Sequence, residues 1–244
     1  MHFLYIAIIG GDNVQEHLEE RMDRLWQKSI EEVAAAREES LIPVPTSTDG
    51  MGLTKWICSG IQKVTSRLDQ VEKETGVHCV CGEGCSACCR QAIQVLPTEA
   101  KAIAIYMSQF APEIKESILE KVEEWKACIE ASGLDIDQNK YYISGVPEEE
   151  IYRFMADYFA LDLPCPMLSD EGSCMIYPVR PGGCWSYRVY SNPTECKGSF
   201  YVAGGMKHDE WERYLLDCLF KQVPSDHEMK LLPQYIEQIL KGEW

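Results

Sequence analysis

The chain has 244 residues, 45% of them hydrophobic and 25% charged, the make-up of a folded globular protein. A formal net charge of -16 argues against nucleic acid as a partner, because that binding relies on Lys and Arg neutralising phosphates. No apolar run approaches the roughly 20 residues a membrane span requires, so no membrane partner is expected.

At the start, "HFLYIAIIG" is apolar but lacks a basic flank and a small-residue cleavage site. It reads as a core or edge segment of a cytoplasmic protein. Asp12 and Gln15 have capping-box spacing, and Val14, Leu18, Met22, Leu25, Ile30 and Val33 form one apolar helical face as far as about Glu39. "LIPVPTSTDG" is a linker broken by Pro43 and Pro45. Leu53, Trp56, Ile57, Val64, Leu68 and Val71 predict a second helix, ending near Gly76. The stretch "CVCGEGCSACC", 79 to 89, follows at once. A helix is then expected from about Pro97. Another is marked by Ile114, Ile118, Val122, Trp125 and Ile129 and stops at Gly133. "PEEEIYRFMADYF" predicts a helix whose acidic first turn suits the helix dipole. From Pro164 to Tyr201 the helical period vanishes, and five prolines and four cysteines dominate. That segment has no obvious apolar face, so something other than a packed helix must hold it. Helices at about 207–221 and 233–241 close the chain.

The twelve cysteines fall into three groups. Cys58, Cys128 and Cys218 sit singly in helical patterns and read as small buried hydrophobes. The others are Cys79, Cys81, Cys85, Cys88 and Cys89, and then Cys165, Cys174, Cys184 and Cys196. In a reducing cytosol, clustered cysteines more often bind metal or do redox chemistry than form disulfides. The two cysteine-rich stretches are also locally neutral. Arg90 and Lys101 balance Glu83 and Glu99, while Arg180, Arg188 and Lys197 balance Asp170, Glu171 and Glu195. Thiolates at Cys81-x3-Cys85-x2-Cys88 could meet at one zinc ion or iron–sulfur cluster, with Gly82 and Gly84 allowing a tight backbone. Adjacent side chains diverge, so one of Cys88 and Cys89 would serve a second centre or face away. A metal shared with the second group would staple the 164–201 segment in place. Cys79 could stand in for one ligand or act as a redox thiol. His78 reads as an exposed loop residue. The same Cys-x3-Cys-x2-Cys spacing holds the cluster of radical S-adenosylmethionine enzymes, but the flanking helices argue against their barrel.

"CGEGCSACCR", "TEAKAIA", "CPMLSDEGSCMIYPVRPGGC" and "CKG", in that order, resemble the YkgJ-type cysteine-cluster family, a zinc- or iron-chelating domain whose members include flagellin lysine N-methylase. The resemblance covers roughly residues 79 to 198. It implies Cys81, Cys85, Cys88, Cys89, Cys165, Cys174, Cys184 and Cys196 as metal ligands, with Arg180 and Tyr177 as supporting groups beside them. The chain departs from the family pattern in its first spacing, in Trp185 after Cys184 and in Lys197 after Cys196.

The expectation is therefore a mainly α-helical domain organised around a cysteine-rich metal cluster, with an irregular loop segment near 164–201. Residues 1–78 form an N-terminal helical region, 79–201 the chelating domain, and 202–244 C-terminal helices packed on it. The cofactor is zinc, iron or an iron–sulfur cluster, and the partner a metal ion, with a protein substrate or partner open. The metal would be structural or used in metal handling or redox. The alternative is a metal-dependent protein-lysine N-methyltransferase taking its methyl group from S-adenosylmethionine. Catalytic residues are not identified.

Overall fold

A computed structural model describes residues 12–46, 50–82, 84–143, 145–220 and 228–243, with side chains not described at 12–17, 143 and 220. The expected N-terminal apolar segment and the side chains of the Asp12–Gln15 capping box lie outside the described residues.

Eight α-helices are present among the described residues: α1 (Asp12–Glu38), α2 (Gly50–Thr75), α3 (Pro97–Met107), α4 (Pro112–Ser132), α5 (Glu148–Ala160), α6 (Gly182–Trp185), α7 (Asp209–Phe220) and α8 (Leu232–Lys241). They agree with the expected helices to within a few residues, α6 excepted. Two small antiparallel ladders accompany them. β1 (Gln94–Val95) pairs with β4 (Lys230–Leu231), placing Gln94 opposite Leu231. β2 (Tyr187–Val189) pairs with β3 (Gly205–Lys207), placing Tyr187 opposite Lys207 and Val189 opposite Gly205.

The long helices form because their apolar residues recur at three- and four-residue intervals. On α2, Leu53, Ile57, Ile61, Val64, Leu68 and Val71 are all buried. On α1 the buried face runs through Met22, Leu25, Ser29, Val33 and Ala36, and Ile30 is exposed. That departs from the sequence expectation. Ser29 takes the inward position because its hydroxyl has two buried partners, Trp211 Nε1 at 3.0 Å and His208 Nδ1 at 3.4 Å. Ile114, expected on the inner face of α4, overhangs the first turn and is exposed, while Ile118, Val122, Trp125 and Ile129 are buried. α4 stops at Gly133 in the left-handed conformation, with φ of 68°.

One core joins α1 and α2 to α7, with Leu53, Val64 and Leu68 against Trp211 and Leu219. Gly60 on α2 permits this approach, since a Cβ there would meet Leu215 Cδ1 at 2.5 Å. A second core joins α3 and α8 to Ile118 and Val122 of α4. A third gathers Trp125, Phe154 and Tyr158 with Leu231.

The segment 164–201 differs most from its expectation. It buries Met167, Ile176 and Val179 in the second core, Trp185 in the first, and Val189 with Cys196 in a small cluster with Val202. Its apolar residues are placed by short turns rather than by one regular period, so no face shows in the linear pattern. Trp185, which departs from the family pattern, fills the space between α2 and α7. Packing of these side chains holds this segment.

Candidate functional site

The loop after α2 carries five thiols. Two turns shape it: Cys85 N–H donates to Gly82 O at 3.0 Å, and Cys89 N–H to Ser86 O at 3.1 Å. Gly84 has φ of 87°, a conformation that side chains oppose. The loop lies along the free edge of β2. Tyr190 N–H is used by Gly204 O at 2.8 Å on the β3 side. Val189 faces the other way: its O accepts from Val80 N–H at 2.8 Å, and its N–H donates to Cys81 Sγ at 3.4 Å. A sulfur therefore occupies the acceptor place that a neighbouring strand would fill with a carbonyl. Further on, Cys165 N–H donates to Cys89 O at 2.7 Å and joins the second cysteine segment to the first.

Cys79 and Cys81 are in direct contact. Cys81 N–H donates to Cys79 Sγ at 3.3 Å, and the Cys79 thiol donates to Cys81 O at 3.8 Å. Cys81 is exposed and Cys79 half-buried, packed beside Val71 and Val77. The adjoining Cys79 thiol holds the Cys81 thiol below its ordinary pKa, against burial, with Val189 N–H adding to the effect. Cys79 moves up in return, through the same contact and then burial. Each sulfur receives one backbone N–H, so what distinguishes the pair is exposure: Cys81 is open to solvent and Cys79 is half-buried.

The remaining expected ligands are placed individually. Cys85 is exposed; Cys88 and Cys89 are half-buried. Cys165 and Cys174 pack against the second core, Cys184 lies on α6, and Cys196 is buried beside Val189. Cys88 stands within electrostatic reach of Cys81, Cys165, Cys174, Cys184 and Cys196. Burial raises Cys165 to about 12 and pushes Cys174, Cys184 and Cys196 upward, so these are neutral thiols. Arg180 lies over the Tyr177 ring at 3.8 Å and donates to Tyr177 O at 2.7 Å, which closes its own turn. His78 is exposed, as expected. Of the three single cysteines, Cys218 is buried, Cys58 half-buried and Cys128 exposed on the outer side of α4.

Behind the loop is a buried polar network that the sequence did not reveal. Arg188 donates to Asp69 Oδ1 and Glu72 Oε1, both at 2.6 Å. Tyr190 Oη lies 2.8 Å from Glu72 Oε1 and 2.8 Å from His208 Nε2. Cys79 N–H donates to Glu72 Oε2 at 3.4 Å. Burial, then the Arg188 charge, lowers His208 to about 3, so its ring is neutral. The one sequence signal was the alternation Arg188-Val189-Tyr190, a strand period too short to notice.

The fold and loop define a mainly helical, thiol-rich domain. A family profile matches residues 80–202, just over half the chain, and bears the description "CxxCxxCC: Putative zinc- or iron-chelating domain". The chain belongs to this family. No match was found among curated proteins or among solved structures.

The metal in that description was tested against the donors present. Among the described residues, no three or more His, Cys, Asp or Glu side chains are placed to hold a metal ion. This corrects the sequence expectation at several points. The helical fold stands, but it is not organised around a chelating cluster. Zinc, iron or an iron–sulfur cluster as cofactor, a metal ion as partner, and a metal-based function are all overturned. The metal-dependent methyltransferase alternative falls with them. The physical reason is that the thiols are distributed among separate apolar clusters, and among the described residues no three donor side chains converge on one point.

Proposed function

We propose that the domain is a thiol–disulfide exchange module whose working pair is Cys79 and Cys81. The observation that carries this reading is the exposed Cys81 sulfur, which receives the Val189 N–H at 3.4 Å, while the Cys81 N–H is donated to the half-buried Cys79 sulfur at 3.3 Å. Exchange needs an accessible thiolate to attack and a protected thiol beside it to resolve the product. The Cys81 thiolate attacks one sulfur of a substrate disulfide. That S–S bond breaks, a substrate thiolate leaves, and a mixed disulfide forms. Cys79 then loses its proton and attacks Cys81 Sγ, releasing the second substrate thiolate. The substrate disulfide gains two electrons and ends as two thiols, one taking the proton lost by Cys79 and the other a proton from solvent. The Cys79–Cys81 pair ends as a disulfide.

The cycle suits a cytoplasmic location, where reducing thiols would regenerate the pair. In the described residues no helix is long and apolar enough to cross a membrane. We take residues 79–201 as the working unit, flanked by the helical regions 1–78 and 202–244.

The test is a trapping experiment with oxidised glutathione. Cys79→Ser should accumulate one glutathione adduct on Cys81, and the wild-type protein should form the Cys79–Cys81 disulfide. Equal reactivity in Cys81→Ser, or a wild-type protein whose pair stays reduced, overturns the reading.

A further inference from the structure

A cleft with no thiol in its lining lies between the last turns of α4 and one face of α8. It holds about 350 Å³, within the range of small-molecule sites. Its floor is apolar. Trp125 and Ile129 of α4 are 4% and 5% exposed, and the half-buried Leu134 and Ile136 of the following strap pack against the same core. The Trp125 indole N–H is already donated to Tyr158 Oη at 2.8 Å, so the ring offers a ligand only apolar surface. Gly133 opens one end, since an added Cβ there would meet nothing within 4 Å.

The charges around this floor are unequal. Lys126 is the cation among the lining residues, and its ammonium lies 2.8 Å from Glu237 Oε1. An anionic ligand would have to break that pair. Glu130 lies at the Gly133 end, where its carbonyl accepts the Gly133 N–H at 3.3 Å. Its exposed carboxylate forms no ion pair among the described residues. The same end is the C-terminus of a 21-residue helix whose last turn carries no basic residue. The partial negative charge of that terminus is therefore left without a cation from its own last turn. A free carboxylate and a helix C-terminus thus meet at the edge of an apolar floor.

We propose that this cleft binds a small amphipathic cation, an amine carried on an apolar ring. The ring lies on Trp125 and Ile129, and the ammonium meets Glu130 and the end of α4. The site is independent of the thiol pair and of the exchange reading.

The probe is phenethylamine, with hydrocinnamate as a counterpart of similar shape and opposite charge. Binding is followed through the Trp125 indole N–H resonance of isotope-labelled protein, assigned with Trp125→Phe. The amine should move that resonance saturably at millimolar concentration, and the acid should leave it in place. Glu130→Gln should weaken the amine about fivefold, as loss of one exposed ion pair allows. Glu116→Gln removes an exposed carboxylate from the other end of α4 and should leave binding unchanged. That control separates the site from general attraction to a chain of net charge -16. The proposal is overturned if the amine leaves the Trp125 resonance unmoved, or if the acid binds as well as the amine. It is equally overturned if Glu130→Gln weakens binding no more than Glu116→Gln does.

Discussion

The backbone N–H of Cys165 donates to the carbonyl of Cys89 at 2.7 Å. These residues stand at the end of the thiol loop and the start of the irregular segment. Their backbones join the two cysteine regions, while their sulfur atoms are left to other surroundings.

Metal removal follows from this directly. The junction is made by peptide groups, Met167, Ile176, Val179 and Trp185 anchor the irregular segment, and among the described residues no donor group suited to a metal holds it. Thermal unfolding should therefore show the same midpoint with and without EDTA or phenanthroline. A fall in the midpoint on chelation would overturn the correction.

Glu72 and Asp69 should differ sharply as stability determinants. Both bind Arg188, but the Glu72 side chain is 6% exposed and that of Asp69 67%. Glu72→Ala leaves Arg188, Tyr190 and Cys79 N–H short of a buried partner and should cost about 3 kcal/mol. Asp69→Ala should cost under about 1 kcal/mol. Urea unfolding of the two variants distinguishes them.

Gly204 is a steric requirement of the β2–β3 hairpin. A Cβ there would fall on the Ser191 side chain and lie 2.8 Å from Ser191 N, which is backbone and cannot give way. Gly204→Ala should lose about 2 kcal/mol. Gly82→Ala, with nothing within 4 Å of an added Cβ, should stay within about 0.5 kcal/mol of wild type in the same denaturation series.

Stability should peak at mildly acidic pH. Burial lowers His208 to about 3, so the native state resists the proton that the unfolded chain takes up, and stability falls as pH drops below about 6.5. Glu99 moves the other way. Burial raises it to about 7, although its oxygens accept Leu96 N–H at 3.0 Å and Gly182 N–H at 2.7 Å. The native state holds that proton more tightly than the unfolded chain, so stability falls as pH rises from about 4.5 through 7. The loss is on the order of 2 kcal/mol, reduced because the side chain keeps some exposure. Glu99→Gln should flatten the alkaline limb of a stability–pH curve and leave the acidic limb in place.

Much of the helical fold was legible in the linear pattern. Local spacing alone decides where a helix can bury a face, and α2 shows this from Leu53 to Val71. Ile30 and Ser29 mark the limit of that reasoning. Polarity argued for Ile30 inside, but Trp211 and His208, far along the chain, offered Ser29 two hydrogen bonds and reversed the choice. The irregular segment was misread for a related reason. Its buried residues sit on short turns and a three-residue strand, too brief for any period to emerge.

The sequence by itself determined the family, the helices and the presence of a thiol-rich loop, since each of these resides in residue order and local periodicity. Only the tertiary structure decided what surrounds each thiol. Whether a sulfur is a ligand, a buried apolar group or a nucleophile depends on the donors and distances around it, and those come from β2, α2 and α7. The Val189 N–H and the Glu72 carboxylate, brought together by packing, separate the Cys79–Cys81 pair from the rest.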